Sequence, residues 1–426
     1  MISSDLLWTL PFVALLASIA ILPLVRKHWW EKNYAALAIG LAFLTSFYYF
    51  FIKRQPEALL HTAREYVSFI ALIGSLFVVA GGIHIRVKGE AKPLVNCVFL
   101  FIGAILANFL GTTGASMVMI RPWIRMNKYR ITSFHIIFFI FIVSNIGGSL
   151  TPIGDPPLFL GYLRGVPFFW ILQSVWANWA LCLAVLLLIF YVIDRRNYLR
   201  APKVVREAET AHEDWRIEGK RNLCFLAIIL GSVFINDPPF LREALMASAA
   251  FLSWRLTPKR VHEMNDFNFA PITEVMILFF GIFATMVPAL EWLEHHAGEL
   301  SIRTPGQFYW WTGMLSSVLD NAPTYLNFLT AAMGLLAPHE PGAAAQVAFL
   351  LTDHPQYVRA ISLGAVFFGA MTYIGNGPNF LVKSIADRSN VRMPSFFGYV
   401  LKYSVPFLLP VLALVWWVFF RTGSAF

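Results

Sequence analysis

Two aspartates stand where an apolar chain is expected to exclude charge. Asp155 lies in "SNIGGSLTPIGDPPLFLG" (144–161) and Asp320 in "LDNAP" (319–323), each within sequence hydrophobic enough to cross a bilayer. Around them stand the oxygen-bearing side chains of Ser144, Asn145, Thr151, Asn321 and Thr324. A carboxylate is costly at membrane depth and is kept there to bind something. Gly147, Gly148 and Gly154 let a helix unwind, while Pro152, Pro156 and Pro157 stop it from closing again. Unwinding frees carbonyls and amides that lipid penalises and an ion can use. Half-helix ends add partial charges, amides suiting an anion and carbonyls a cation. A plainer role competes for both acids: Asp155 precedes Pro156, and Asp320 is followed by Asn321 and Pro323, so each is placed to cap a helix.

Composition sets the surroundings of these residues. The 426-residue chain is 58% apolar and 13% charged, against about 25% charged in soluble domains. Apolar runs of about 20 residues recur from end to end, so the chain reads as an all-α polytopic membrane protein and not a soluble enzyme. No nucleophile–base pair, metal motif or nucleotide-binding loop accompanies them, which argues against an enzyme or an ATP-driven pump. Cys97, Cys182 and Cys224 sit in apolar runs without metal-ligand spacing and imply no disulfide framework. The net charge of +9 is spread between apolar runs, so it marks orientation and not a nucleic-acid surface. The opening run "LLWTLPFVALLASIAILPLV" reads as a retained span.

Ten spans are expected, near 5–25, 33–52, 66–85, 131–163, 167–193, 222–236, 240–256, 271–290, 357–385 and 394–420. Two more apolar segments, 94–121 and 306–337, are interrupted at their centres by "NFLGTTG" and "LDNAP". Each half is too short to cross about 30 Å alone. Re-entrant hairpins with buried tips follow from that. With the N-terminus outside, the inner loops 26–32, 86–92, 121–130, 194–221, 255–262 and 383–392, with Lys402, hold roughly three quarters of the 33 Lys and Arg, as the positive-inside rule requires. Glu274, His84 and His135 read as span-end residues, and the paired tryptophans as interfacial anchors.

The mixed-charge segment 194–221 is a linker at the midpoint, and the halves on either side (1–193 and 222–426) match. "NFLGTTGAS" (108–116) meets "SVLDNAPTY" (317–325), and "GGSLTPIGDPPLFL" (147–160) meets "GAMTYIGNGPNFLV" (369–382). Asn376 takes the place of Asp155, and Gly375 and Gly377 flank it as further helix breakers. The spans of the two halves start on opposite sides, so the repeat is inverted. Interrupted helices at matching places in an inverted repeat point to the site of a secondary transporter.

The motifs "SNIGGSLTPIGDPP" and "LDNAPT" resemble those of the ion transporter superfamily, which includes NhaD-type sodium/proton antiporters, arsenite permeases and divalent-anion/sodium symporters. The NhaD-type and arsenite-permease patterns are the nearest. The resemblance implies a scaffold and a moving transport domain, elevator-like alternating access and a homodimer. Carried over motif by motif, it implies ion-binding roles for Ser144, Asn145, Thr151 and Asp155, and for Asp320, Asn321, Thr324, Thr372 and Asn376. One departure is that the first tip reads Gly111–Thr112–Thr113, where close antiporter relatives carry an acid.

Two functions fit. The leading expectation is a sodium (or other monovalent cation)/proton antiporter with Asp155 and Asp320 as Na⁺ ligands and Asp320, the acid at a tip, the less forgiving of the two. The alternative is a sodium- or proton-coupled transporter of an organic or oxyanion substrate such as citrate, a dicarboxylate or arsenite. The hydroxyls of Thr112, Thr113 and Ser116 favour the second reading. Neither needs a resident cofactor. Either places the chain as a multi-pass protein in a bacterial inner membrane or its equivalent.

Overall fold

The computed structural model describes residues 4–86, 92–200, 216–235 and 237–421. Among them, seven helical segments are long and apolar enough to cross a membrane by length and composition. The protein is an all-α polytopic membrane protein but for one small ribbon, His84–Arg86 paired antiparallel with Arg216–Glu218. Charged sequence gave no strand signal there. The inner loop expected at 86–92 and the linker expected at 194–221 fall largely outside the described residues.

Some helices run past the ends that hydropathy predicts. Pro56–Gly81 begins ten residues before the expected 66, and Phe168–Arg200 continues past 193. Polar residues in these extensions have protein partners: Arg164 bonds Glu65 at 2.9 Å. Ala343–Asp353 is a further short helix that no expected span covers. Ala270–His296 packs against Leu10–Val25, Lys27–Phe47 and Pro56–Gly81. Glu291 on it bonds the Tyr49 hydroxyl at 2.6 Å and pairs with Lys53.

Pro93–Met126 spans 34 residues yet does not run straight. At about 1.5 Å per residue, Asn96 and Asn127 would stand roughly 45 Å apart in a continuous helix. Instead their side chains exchange hydrogen bonds at 2.9 and 3.2 Å, and Phe99 stacks on Trp123 with centroids 5.5 Å apart. The chain therefore reverses at Gly111, whose φ of +72° suits glycine alone among common residues. Pro305–Ser316 and Asn321–Leu336 form the second pair of arms, with Phe308 edge-on to Phe328.

The feet of the first pair are clamped. Asp194, fully buried, takes the Arg130 guanidinium on both oxygens, His135 Nε2 at 2.9 Å and Asn96 Nδ2 at 2.9 Å. His135, near a span end as expected, is packed there as a buried partner of Asp194. Arg130→Ala leaves that buried carboxylate with His135 and Asn96 but without its guanidinium. It is expected to cost about 3–5 kcal/mol, read as a fall in thermal unfolding temperature in detergent, whereas Arg125→Ala serves as the neutral control.

Two helices break at the centre of the fold. The first runs Ser133–Ile142, loosens through a 3₁₀ turn at Ile146–Leu150, and resumes at Pro156–Leu163. Every residue from His135 to Ile142 is buried, which suits a segment apolar all round. The second runs Pro355–Phe368, turns at Gly369–Met371 and resumes at Gly377–Arg388.

Candidate functional site

Each unwound segment is sewn to the tip of a neighbouring pair of arms. In the first half Thr151 Oγ1 donates to Asn108 O at 2.7 Å, Asn108 Nδ2 donates to Gly147 O at 2.7 Å, and Thr112 N donates to Gly154 O at 2.8 Å. The second half repeats the stitch, with Thr372 Oγ1 on Ser317 O at 2.5 Å. Gly154 N and Gly375 N donate to Thr151 Oγ1 and Thr372 Oγ1, each at 3.1 Å. Thr151 and Thr372 are therefore occupied as tethers.

The glycines serve close approach. A Cβ on Gly154 would overlap the carbonyl of Gly148, one on Gly375 would lie 2.7 Å from Gly369 O, and one on Gly147 2.6 Å from Ala104 Cα. A Cβ on Gly148 would lie 2.5 Å from Thr112 Cγ2, whereas one on Gly377 would meet nothing within 4 Å. Unwinding and crossing of backbones explains four of these five positions. Pro152 lines a small cavity beneath the first tip together with Thr113.

Asp155 sits at the meeting point and is fully buried. Its Oδ1 accepts from Thr112 Oγ1 at 2.7 Å and Asn376 Nδ2 at 3.1 Å, and its Oδ2 from Asn321 Nδ2 at 2.6 Å. Although it stands at the N-cap of Pro156–Leu163, its side chain makes no cap bond. Asp320 behaves oppositely: it is partly exposed and accepts from Ala322 N at 3.0 Å as a helix cap. Thr324 Oγ1 returns to Asp320 O at 2.9 Å, within its own helix. Of the two candidate carboxylates, only Asp155 spends its side chain on the other elements of the site.

A ring of polar side chains completes the site. Asn376 Nδ2 also reaches Asn145 Oδ1 at 3.1 Å and Ser144 O at 3.2 Å, and Ser144 pairs with Ser116 at 2.7 Å. Asn379, not singled out in the sequence, donates to Gly369 O and Thr372 O and accepts from Asn145. Its signal was faint, since an asparagine after Gly-Pro reads as turn punctuation.

Four helical N-termini converge here: the arm entered at Thr112, and the helices beginning at Pro156, Asn321 and Gly377. Each carries partial positive charge toward the centre. Pro156, Pro157, Pro323 and Pro378 lack N–H groups, so side-chain amides supply the donors instead. No ion pair to Asp155 occurs among the described residues. The centre thus joins a carboxylate, amides and hydroxyls to the field of four helix ends.

A buried polar site between two broken helices is the arrangement in which secondary transporters place their substrate and coupling-ion sites. Residues 2–420 match the family described as "Putative citrate transport", and the chain belongs to that CitMHS-type family. Membership makes it a transporter and not an enzyme. The likeness of its motifs to NhaD-type antiporters does not extend to this match. Among curated proteins, none matches the chain.

Proposed function

We propose that the protein is a secondary transporter of citrate or a similar small polycarboxylate, driven by a cation, Na⁺ or H⁺, that engages Asp155. The observation that carries this reading is the convergence of four helix N-termini on one buried carboxylate without a basic side chain. Helix N-termini favour an anion. A polycarboxylate facing Asp155 would still be repelled, so a cation must enter with it. Coupling follows from that need: neither charge is stable at the site alone.

The inverted repeat supplies the route. The matching stitches Thr151–Asn108 and Thr372–Ser317 support two related halves, each contributing a re-entrant pair of arms and a broken helix. In this reading the arms and broken helices move as a unit against the helix bundle built on Ala270–His296, and two copies pair in the membrane. The cation/proton antiport reading is favoured less, because Asp320 is engaged as a cap and the family match is to citrate transport.

Reconstitution into vesicles tests the reading. Labelled citrate should accumulate when an inward Na⁺ or H⁺ gradient is imposed and should not accumulate without one. Na⁺-driven proton release with no citrate uptake would return the protein to the antiporters.

A further inference from the structure

The amides around Asp155 have a direction, and it is imposed from a distance. Asn379 is fully buried, and one end of its amide faces two carbonyls, Gly369 O at 2.7 Å and Thr372 O at 2.9 Å. Carbonyls only accept, so that end is the amino group. The other end is then Oδ1, which accepts from Asn145 Nδ2 at 2.7 Å. Asn145 is held the same way round by Ile140 O at 2.9 Å. Its Oδ1 therefore faces Asn376, whose amino group is pinned by Ser144 O at 3.2 Å and ends on Asp155 Oδ1 at 3.1 Å. No amide in this series can turn without losing a backbone bond.

Asn321, on the other carboxylate oxygen, is free of such constraint. Its Nδ2 holds Asp155 Oδ2 at 2.6 Å, while its Oδ1 is buried and has no partner among the described residues. A buried acceptor without a donor calls for a water or an ion. A half-turn of this amide would place an oxygen beside Asp155 Oδ2, and two oxygens make a cation subsite. Asp320 caps the helix that Asn321 begins.

We infer that Asn379 is a positioning residue: through Asn145 and Asn376 it commits Oδ1 of Asp155 to hydrogen bonding, which leaves Oδ2 with Asn321 Oδ1 as the face that takes the cation. The inference rests on the cation-coupled reading above. It assigns the two carboxylate oxygens different work and makes Asn321 the ligand that turns.

Na⁺ titration of the purified full-length protein, followed by thermal unfolding, tests it, because a ligand that binds the folded state raises the unfolding temperature. Asn379→Ala should raise the half-saturating Na⁺ concentration about tenfold, the lower end of what outer-shell partners of ion ligands contribute. Its unfolding temperature without Na⁺ should fall, because Gly369 O, Thr372 O and Asn145 Nδ2 lose a buried partner, so the reading is the half-saturating concentration and not the temperature itself. Because Asn379 acts through Asn376, Asn376→Ala combined with Asn379→Ala should be no weaker than Asn376→Ala alone; independent effects would multiply. If Asn379→Ala does not fold, Asn379→Ser, whose hydroxyl donates to one carbonyl, carries the same readings. A Na⁺ response lost in Asp155→Asn but unmoved in folded Asn379 variants, or multiplying effects in the double variant, overturns the inference alone. An equal response in the parent and Asp155→Asn overturns the cation reading and the inference with it.

Discussion

Asp155→Asn is expected to insert and fold normally and to lose cation-driven citrate uptake by about 100-fold or more, equivalent to about 3 kcal/mol. Asparagine keeps the volume and one acceptor oxygen for Thr112 and Asn376, whose bonds to Asp155 Oδ1 are 2.7 and 3.1 Å. It removes the charge and turns an amino group toward Asn321, whose unconstrained amide can turn its Oδ1 to accept it. Asp320→Asn is the paired control. Asp320 caps its helix through Ala322 N, and asparagine caps about as well as aspartate, so uptake should fall by less than about threefold. Initial uptake rates in vesicles, normalised to protein, separate the two. Equal loss in both variants would mean that Asp320 binds the ion directly, as expected from the sequence, and that its cap is incidental.

The second large effect is steric. Gly154→Ala places a methyl on the carbonyl of Gly148, a backbone atom that cannot swing aside as a side chain would. Overpacking of this kind costs about 1–3 kcal/mol. Here it also forces open the crossing of Gly148 and Gly154 that sets the positions of Thr151 and Asp155, so uptake should be abolished while membrane insertion persists. Gly377→Ala, with nothing within 4 Å, should transport at nearly the parental rate. The pair distinguishes a need for close approach from a general need for a flexible break. If both variants transport normally, the crossing at Gly148 is not part of the working site.

Much of the site was legible because helix breakers and intramembrane polar residues carry physical penalties that a sequence shows openly. Gly111 with its neighbours marked the first reversal, and "LDNAP" the second. The broken segment around 144–155 is marked by Gly147, Gly148 and Gly154 with Pro152, Pro156 and Pro157. What stayed hidden depends on partners. Asp155 and Asp320 both precede helical segments and look alike as caps, and only the direction of each side chain separates them. Asn379 accepts from Asn145, 234 positions away, a relation no local pattern contains. Pro56–Gly81 begins early because Glu65 finds Arg164, and hydropathy counts such a residue as solvent-facing. The helix breakers show where the chain yields; the amide directions show what it yields to.

The clamp at the feet of the first pair of arms has a mechanical consequence. Asn96 and Asn127 are tied to each other, and through Asp194 to Phe168–Arg200, so the arms behave as a cantilever with a fixed root. Splaying them at the base would strand a buried carboxylate, so their compliance is concentrated at the Gly111 end. A larger displacement must take Phe168–Arg200 along as freight. Spin labels on that helix and on the arms should then keep a constant separation through the transport cycle, while labels beside Gly111 change theirs.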